Sequence, residues 1–248
     1  MEGFQTFTGN NKYHVLVIHV AKFKERGESI EKQMRKIGLD FRYILEGDVE
    51  DIDYKVLARY FKDGHDRIFR ACPMTSCTLK HFYAYEYILN HNLSGALVLE
   101  DDAILEKDFL PKFEQSIREF EEKYLSKPVI ISYENSALMF VPRSQRRTGQ
   151  MLYLAKKDRY AGGYFINRQA AKVILDEVKK NKCELVIDGF HNWLLQQGKI
   201  LYFWCHPTLI QQGTVIGKFP SSLSSDDWLL KLRWYLKLYY KHLLYYLR

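Results

Sequence analysis

The sequence has little cysteine and no long apolar run, and both absences restrict the class of protein. Its four cysteines form no CxxC pair and no zinc-type spacing, so isolated thiols in a reducing compartment are expected. No segment has the apolar length that a membrane-spanning helix needs. The first 20 residues lack the charged region, apolar stretch and cleavage site of a secretory signal. These absences predict a cytoplasmic protein.

Glycine-rich nucleotide-binding loops are also missing. No GxGxxG follows the first apolar run, and residues 213–219 (GTVIGKF) have neither the spacing nor the Ser/Thr of a P-loop. This argues against an NAD-dependent enzyme and a P-loop NTPase. What the chain does have is 248 residues with 47% apolar and 15% aromatic content, enough for a full globular core.

The net charge of +7 is concentrated in two stretches. Residues 141–172 contain eight basic residues and one acid, and residues 228–248 contain five basic residues and no acid. The remainder of the chain is acidic. Such placement indicates a specific anionic partner, either a phosphate-bearing substrate or a lipid surface, and predicts no nucleic-acid partner.

A short apolar run at residues 95–102 (GALVLEDD) stops in three acids. The run is typical of a strand buried on both faces in the middle of a parallel sheet. Glu100, Asp101 and Asp102 then lie at the carboxyl end of the strand, where open α/β sheets bind ligands. Three carboxylates there can hold a divalent cation and, through it, a pyrophosphate. Equally, the acids can cap a following helix, where they favour the helix dipole.

The surrounding periodicity predicts alternating strands and helices. Residues 13–20 predict a central strand, residues 22–38 a helix with Gly38 at its end, and residues 41–45 a second strand, which is the opening of a doubly wound nucleotide-binding half. Further predicted elements are a short helix at 54–61, a helix capped by Thr75 or Ser76, a helix at 108–125, a strand at 129–133 and a helix at 168–179.

Two stretches after residue 140 have loop character. Residues 142–160 are polar, basic and aperiodic, which predicts a mobile loop beside the site, of the kind that closes over phosphates. Gly162 and Gly163 precede a helix and would let the backbone approach a ligand closely, although a tight turn explains them more simply.

The last 21 residues mix Leu, Trp and Tyr with basic side chains. Arg233, Lys237 and Lys241 fall at four-residue steps on one face of a predicted helix. This is typical of an amphipathic helix that lies on anionic lipid of the inner leaflet, peripheral on the inner face of the cytoplasmic membrane. The alternative is that the same stripe packs on the domain or on another subunit. We therefore divide the chain into a domain at 1–225 and a basic aromatic tail at 226–248.

Four ordered motifs carry a family resemblance. Residues 76–81 (SCTLKH), 97–102 (LVLEDD), 160–172 (YAGGYFINRQAAK) and 186–188 (VID) resemble, in order and spacing, glycosyltransferase family 25, which is best known for lipooligosaccharide galactosyltransferases. The resemblance extends from Tyr13 to about Ser224. Two positions depart from the family pattern, with His19 where the family has Asn and Lys80 where it has Ser.

The resemblance implies a GT-A-like fold with a Rossmann-type, mostly parallel sheet flanked by helices. It also implies inverting transfer of a sugar, by default galactose from UDP-galactose, to an oligosaccharide or lipid-linked acceptor of lipopolysaccharide or other cell-envelope glycan synthesis. The leaving nucleoside diphosphate would be stabilised by Mn²⁺ or Mg²⁺.

The resemblance also assigns roles to residues. Asp102, with Glu100 or Asp101, would hold the metal, and Asp188 would be the general base, with the N-cap of a helix at 189–197 as its alternative role. Residues expected to contact the donor are Arg26, His81, Glu100, Asp101, Gly162, Gly163 and Gln211, with Gln212 beside the last. For His81 a packed structural role is the simpler alternative.

Two rival classes remain open at this stage. A non-catalytic membrane-associated adaptor would explain the tail alone. A nucleic-acid-binding protein would explain the basic stretches, but the chain shows no recognised module and its three acids would repel phosphate unless a metal were bound.

Overall fold

The structure, a computed structural model, describes residues 4–5, 14–219 and 228–247. The strands of this described part are β1 (Phe4–Gln5), β2 (His14–Ile18), β3 (Phe41–Ile44), β4 (Gly95–Glu100), β5 (Ala103–Leu105), β6 (Val129–Ser132), β7 (Leu152–Leu154), β8 (Gly163–Asn167), β9 (Leu201–Cys205) and β10 (Ile210–Gln212). The α-helices are α1 (Lys24–Ile37), α2 (Tyr54–Tyr60), α3 (Pro73–Asn90), α4 (Phe109–Lys123), α5 (Arg168–Asn181), α6 (Ile187–Gln196) and α7 (Trp228–Leu247).

Eight of these strands form one mixed sheet in the order β1-β3-β2-β4-β8-β6-β9-β7. Strands β3, β2, β4, β6 and β9 share one direction, whereas β1, β8 and β7 run against it. Helices cover both faces. The predicted mostly parallel, Rossmann-type sheet flanked by helices is therefore confirmed, with one difference: β4 has a parallel neighbour, β2, and an antiparallel neighbour, β8.

Strand β4 is buried on both faces, as its uninterrupted apolar run predicts. Its side chains alternate between two cores because successive residues of a strand point to opposite faces. Ala96 and Val98 pack in the core formed with α2, α3, α5 and α6. Leu97 and Leu99 pack in the core formed with α1 and α4. The strand is fixed from both sides, and so is the position where it ends.

The ligand edge of the sheet follows from the chain path around β2 and β4. The chain leaves β2 through α1 to reach β3 on one side, and β4 pairs with β2 on the other side. Connections that diverge from two adjacent parallel strands leave a crevice outside their carboxyl ends. The segments that enter this crevice are residues 19–23 after β2 and residues 100–102 at the end of β4.

Several predicted boundaries need correction. Helix α3 begins at Pro73 with Cys72 as its N-cap, not at a cap by Thr75 or Ser76. The two hydroxyls bind other segments instead: that of Thr75 donates to the Ile68 carbonyl and that of Ser76 to the Gly47 carbonyl. A proline suits the first turn because its missing N–H has no partner there anyway.

The three acids do not cap a helix, since a turn at 101–102 leads into β5, which pairs with β10. The predicted loop at 142–160 is wrong for Leu152–Leu154, which form β7 at the edge of the sheet, paired with β9. A strand of three residues is too short to show a period in the sequence.

Three further predictions concern the end of α1, the start of the central strand and the tail. Gly38 ends α1 in the left-handed conformation, as predicted. The first residue of the predicted central strand, Tyr13, and the predicted boundary at 225–226 lie outside the described residues. The tail is helical over Trp228–Leu247.

The close approach of β4 and β8 at Gly95 gives a stability prediction. A Cβ on Gly95 would lie 2.7 Å from the Ile166 backbone oxygen and 2.6 Å from Phe165 Cζ. We expect Gly95→Ala to lower the free energy of unfolding by about 1–3 kcal/mol, because buried overpacking moves backbone and side chains. Urea unfolding followed by circular dichroism measures it.

The matched control is Gly189→Ala on α6, where the new Cβ would lie 3.5 Å from Leu185 Cβ, an ordinary contact. It should leave stability unchanged or raise it by about 0.5–1 kcal/mol, because alanine favours a helix over glycine. Equal losses in the two variants would contradict the packing seen at Gly95.

Candidate active site

A cleft of about 380 Å³ opens at the carboxyl ends of β2 and β4. Its main wall is formed by the segment after β2, the first turns of α3, the end of β4 and the start of α6. Residues 49–50, Arg67, residues 160–161, Gln212 at the end of β10 and Thr214 after it also line it. The cleft is thus built around the acids of residues 100–102.

Asp101 is bound entirely by protein donors. Its Oδ2 lies 2.8 Å from His19 Nδ1 and accepts a hydrogen bond from the Val20 backbone N–H, and its Oδ1 accepts one from Arg26 Nη1 at 3.1 Å. The partners His19 and Val20 belong to the loop after β2, and Arg26 belongs to α1. Asp101 and Arg26 are both buried. Their ion pair joins the end of β4 to α1, and any contact of Asp101 or Arg26 with a sugar donor stays a prediction.

Asp102 is held on one oxygen only. Its Oδ2 accepts hydrogen bonds from the Thr214 backbone N–H and hydroxyl, at 3.2 and 2.5 Å. Its Oδ1 is buried and has no hydrogen-bond partner. Burial, followed by the charge of Glu100, raises the pKa of Asp102 to about 6. An unpartnered, desolvated carboxylate oxygen is a ready ligand for a cation.

Glu100 faces the cleft between α3 and the end of β10. Its Oε2 accepts a hydrogen bond from Gln212 Nε2 at 3.2 Å, and its Oε1 lies 3.6 Å from both Cys77 Sγ and His81 Nε2. The Glu100 backbone N–H donates to the Gly162 carbonyl, which fixes the strand end against the segment that enters β8.

Asp188 lies across the cleft, in the first turn of α6. The N-cap of that helix is Val186, so the capping role considered for Asp188 is wrong. Its Oδ1 accepts a hydrogen bond from the Ala161 backbone N–H at 2.8 Å. Burial and the charge of Glu100 raise the pKa of Asp188 to about 7. Asp158 lies nearby. Its pKa is also raised to about 7, by burial and by the charge of Asp188. A carboxyl with a pKa near neutrality is suited to accept a proton.

His81 is fully buried on α3 and bound to a chain of hydroxyl groups. Its Nδ1 lies 2.8 Å from the Tyr164 hydroxyl, which lies 2.5 Å from the Tyr85 hydroxyl, and that in turn lies 2.8 Å from His191 Nε2. His81 therefore has the packed, hydrogen-bonded environment of the simpler alternative, while its other nitrogen points to Glu100.

The structure gives other contacts to Gly162, Gly163 and Gln211 than the predicted contacts with a donor. A Cβ on Gly162 would lie 2.5 Å from Gln212 Nε2, and one on Gly163 would lie 2.4 Å from Ile210 Cδ1, so both glycines make room for β10. Gln211 donates to Glu106 Oε1, whereas Gln212 lines the cleft. The structure thus brings Gln212 into the site and not the side chain of Gln211.

The basic stretch at 141–172 does not form one surface. Arg159 is buried over the Trp204 ring and donates to backbone carbonyls, Arg168 donates to carbonyls at the end of α3, and Lys172 pairs with Asp176. The cations that line the cleft come from elsewhere in the chain: Lys22, Arg26, Arg67 and Lys80.

Lys80, where the family pattern has Ser, is buried against the loop after β3. Its ammonium donates to the Leu45 and Glu46 carbonyls and pairs with Asp48 at 2.9 Å. It fixes a wall of the cleft.

Sequence comparison assigns the chain to a known family. The model of glycosyltransferase family 25, described as an LPS biosynthesis protein, matches residues 12–190, well over half of the chain and every segment that lines the cleft up to α6. The chain belongs to glycosyltransferase family 25. A family 25 relative described as a glycosyltransferase 25 family member, from Aedes aegypti, is 26% identical over 176 residues. That match covers 66% of this chain, and the chain spans 28% of the length of the relative.

Two solved structures match this chain at low similarity. A glycosyltransferase involved in the glycosylation of the major capsid of PBCV-1 is 11% identical, with 81% of this chain and 93% of that chain covered and a TM-score of 0.40. A putative glucose-1-phosphate thymidylyltransferase from Bacillus anthracis, in complex with a sucrose, is 15% identical, with 76% and 66% covered and a TM-score of 0.35.

The family resemblance implies a Mn²⁺ or Mg²⁺ ion, and two carboxylates at this family 25 site fit it. Asp102 has the buried, unpartnered oxygen, and Glu100 faces the same cleft. Mg²⁺ is commonly bound by one or two carboxylates with water and substrate phosphates, so two protein ligands suffice. Asp101 does not fit as a ligand, because both of its oxygens are already bound.

The ion pair at Asp101 gives a second prediction. We expect Asp101→Asn to lower the free energy of unfolding of this family 25 domain by about 1.5–3 kcal/mol, the usual cost of losing a hydrogen bond to a charged group. Urea unfolding at pH 7 measures it. Asp176→Asn is the control, since its pair with Lys172 is exposed and should be worth about 1 kcal/mol or less. A similar small loss in both variants would refute the structural role of Asp101.

Proposed function

We propose that the chain is an inverting, UDP-sugar-dependent glycosyltransferase, with galactose as the default sugar and a cell-envelope saccharide such as lipopolysaccharide as the acceptor. The observation that carries the proposal is that two acidic groups suited to different chemistry lie on opposite sides of one cleft. Asp102 offers a cation ligand at the end of β4, and Asp188 offers a proton acceptor on α6. The GT-A-like arrangement of donor and acceptor on the two sides belongs to the same proposal.

The donor side lies at the ends of β2 and β4. Mn²⁺ or Mg²⁺ held by Asp102 and Glu100 would neutralise charge on the diphosphate of the donor. The side chains of Lys22 and Arg67, which line the same cleft and are exposed, supply positive charge for phosphate oxygens. The charge distribution therefore favours an anionic ligand bound with a cation.

The acceptor side lies at Asp188. In an inverting transfer the acceptor oxygen bonds to the anomeric carbon, the bond from that carbon to the diphosphate breaks, and the acceptor proton needs a base. Asp188 takes that proton at a carboxylate whose other oxygen is held by the Ala161 N–H. That hydrogen bond orients the carboxylate toward the cleft, which the aromatic ring of the half-exposed Tyr160 also lines.

Donor binding is the first test. We expect one UDP-sugar, in the presence of Mn²⁺, to raise the melting temperature with concentration, because a ligand that binds only the native state stabilises it. EDTA should abolish the shift. In Asp102→Asn the shift should fall at least to the level seen with EDTA.

Asp108→Asn is the matched control for this thermal-shift panel, since Asp108 is a solvent-exposed acid six residues along the chain that pairs with Lys112 outside the cleft. It should keep the wild-type shift. If no nucleotide sugar moves the midpoint at saturation, the transferase proposal fails and the membrane-adaptor alternative takes its place.

A pH profile tests the base. Because Asp188 must be ionised to accept a proton and its pKa lies at about 7, we expect kcat/KM to rise with pH up to a plateau above about 8 and to fall tenfold per pH unit well below 7. Asp188→Asn should lower kcat by at least about 100-fold, the usual size of a general-base contribution, and leave donor binding in the thermal-shift panel intact. A variant with the wild-type pH limb would rule out Asp188 as the base.

The tail supports the proposed place on a membrane surface. In the described part of the chain no helix is long and apolar enough to span a bilayer. Helix α7 contacts the domain through Phe140, which packs on His242 and Tyr245. Elsewhere it exposes large apolar and aromatic side chains, namely Leu232, Leu236, Tyr239, Tyr240, Leu243 and Leu247. Both contacts considered from the sequence, with the domain and with lipid, are therefore compatible on different sides of one helix.

Vesicle binding measures the lipid contact. We expect co-sedimentation with vesicles that contain phosphatidylserine and little with neutral vesicles, because basic residues at the surface are attracted to anionic lipid. The double change Arg233→Glu and Lys237→Glu should weaken binding at least tenfold, since each basic residue contributes about 1 kcal/mol. Lys179→Glu with Lys180→Glu on α5 makes the same change in charge away from the tail and should have little effect. Equal loss in both double variants would refute a specific role for α7.

A further inference from the structure

A thiol, an imidazole and a carboxylate converge beside the acidic end of β4. Cys77 and His81 are one turn apart on α3 and so share a face of the helix. Glu100 lies opposite, with its Oε1 at 3.6 Å from Cys77 Sγ and at 3.6 Å from His81 Nε2. The three ligand atoms all lie within 4.8 Å of one another. No other group of three such side chains is this close in the part of the chain that the structure describes.

His81 Nε2 is buried and has no hydrogen-bond partner. It points at the Glu100 carboxylate from a distance that is too long for a hydrogen bond. A buried polar atom left without a partner is unfavourable. A cation placed between the nitrogen and the carboxylate would give the nitrogen a partner.

The buried hydroxyl chain on the other side of the ring can hold His81 by its second nitrogen. His81 Nδ1 lies 2.8 Å from the Tyr164 hydroxyl, and the chain continues through the Tyr85 hydroxyl to His191 Nε2. When Nδ1 donates to Tyr164, Nε2 presents its lone pair to the cluster. Metal-bound histidines usually donate their second ring nitrogen in this way.

We propose that Cys77, His81 and Glu100 form a binding site for Zn²⁺ or a similar thiophilic divalent ion. Tetrahedral zinc places its ligand atoms about 3.3–3.7 Å apart, since zinc–ligand distances are about 2.0–2.3 Å, and two of the three separations here already fall in that range. On binding, the Cys77 thiol loses its proton to solvent and the sulfur bonds to the ion. Cys77 and Glu100 line the cleft, which leaves a fourth position open to water or a ligand.

The ligand set separates this site from the oxygen-only pair of Asp102 and Glu100. Thiolate and imidazole favour zinc, whereas carboxylates and water suit Mg²⁺ and Mn²⁺. Glu100 belongs to both sets, so zinc would withdraw a ligand from the donor-side cation. Zinc binding itself does not depend on the proposed transferase activity. The consequence that zinc inhibits transfer depends on that activity.

The test uses Co²⁺ as a spectroscopic probe on the full chain, without nucleotide sugar, and then displaces it with Zn²⁺. We expect one equivalent to bind, with a thiolate-to-cobalt charge-transfer band that zinc removes and with release of a proton. Cys77→Ser should abolish the band and weaken zinc binding at least tenfold, measured by competition with a chromophoric chelator. Cys72→Ser is the matched control, because Cys72 stands at the N-cap position of the same helix but lies outside the cluster.

A second variant protects the test against a folding defect. His81→Gln should weaken zinc binding at least tenfold, and its circular dichroism spectrum should match that of the wild type. Cobalt bound without a thiolate band, or Cys77→Ser bound as tightly as the wild type, would overturn the site. Absence of stoichiometric binding would overturn it as well.

Inhibition is measured separately, by titrating zinc into a Mn²⁺-supported transfer assay. We expect loss of activity in the wild type and in Cys72→Ser, and at least tenfold less sensitivity in Cys77→Ser. Equal sensitivity in all three proteins would refute competition for Glu100. Because the cobalt experiment needs no substrate, it tests the zinc site whether or not transfer activity is found.

Discussion

The buried ion pair between Asp101 and Arg26 ties the end of β4 to α1, beside the crevice left by the diverging connections of β2 and β4. Asp101 also lies against His19 and the Val20 backbone, so one carboxylate joins the end of β4 to the end of β2 and to α1. A buried charge is tolerable only when its partners are in place. The position of its two acidic neighbours, and with them the shape of the cleft, depends on this contact.

The acids beside it are less fully paired, and this gives the cleft its chemistry. Asp102 retains a buried oxygen without a partner, and Asp188 and Asp158 have pKa values raised toward neutrality. Negative charge is thus concentrated where few protein donors compensate it. A cation, a proton or both will relieve that charge, and a glycosyl transfer that releases a diphosphate can use both.

The strongly patterned elements could be predicted from the sequence, and the directions of individual side chains could not. The apolar run of β4 and the amphipathic pattern of α1 and α5 fix their type because they bury whole faces. Which of Asp101 and Asp102 meets the cleft depends on a turn of two residues. Likewise, Gln212 enters the site because the pairing of β10 with β5 sets the register, and a shift of one residue would exchange it with Gln211.

Contacts between distant segments could not be predicted from the sequence either. Thr214 lies 112 residues from Asp102, and Tyr164 lies 83 residues from His81. No local period records such pairs. The edge strand β7 was missed because of its length, since three residues are too few to show a periodic pattern.

Strand β8 runs against β4, and its direction has a consequence for how such a site can vary. A parallel strand delivers its following loop to the ligand edge, whereas β8 delivers the segment that precedes it, and the hydrogen bond from Glu100 to Gly162 marks the meeting point. The connection from β7 to β8 therefore shapes the wall of the cleft near Asp188 from the opposite direction. Insertions in that connection can remodel this wall while β2 and β4 stay as they are.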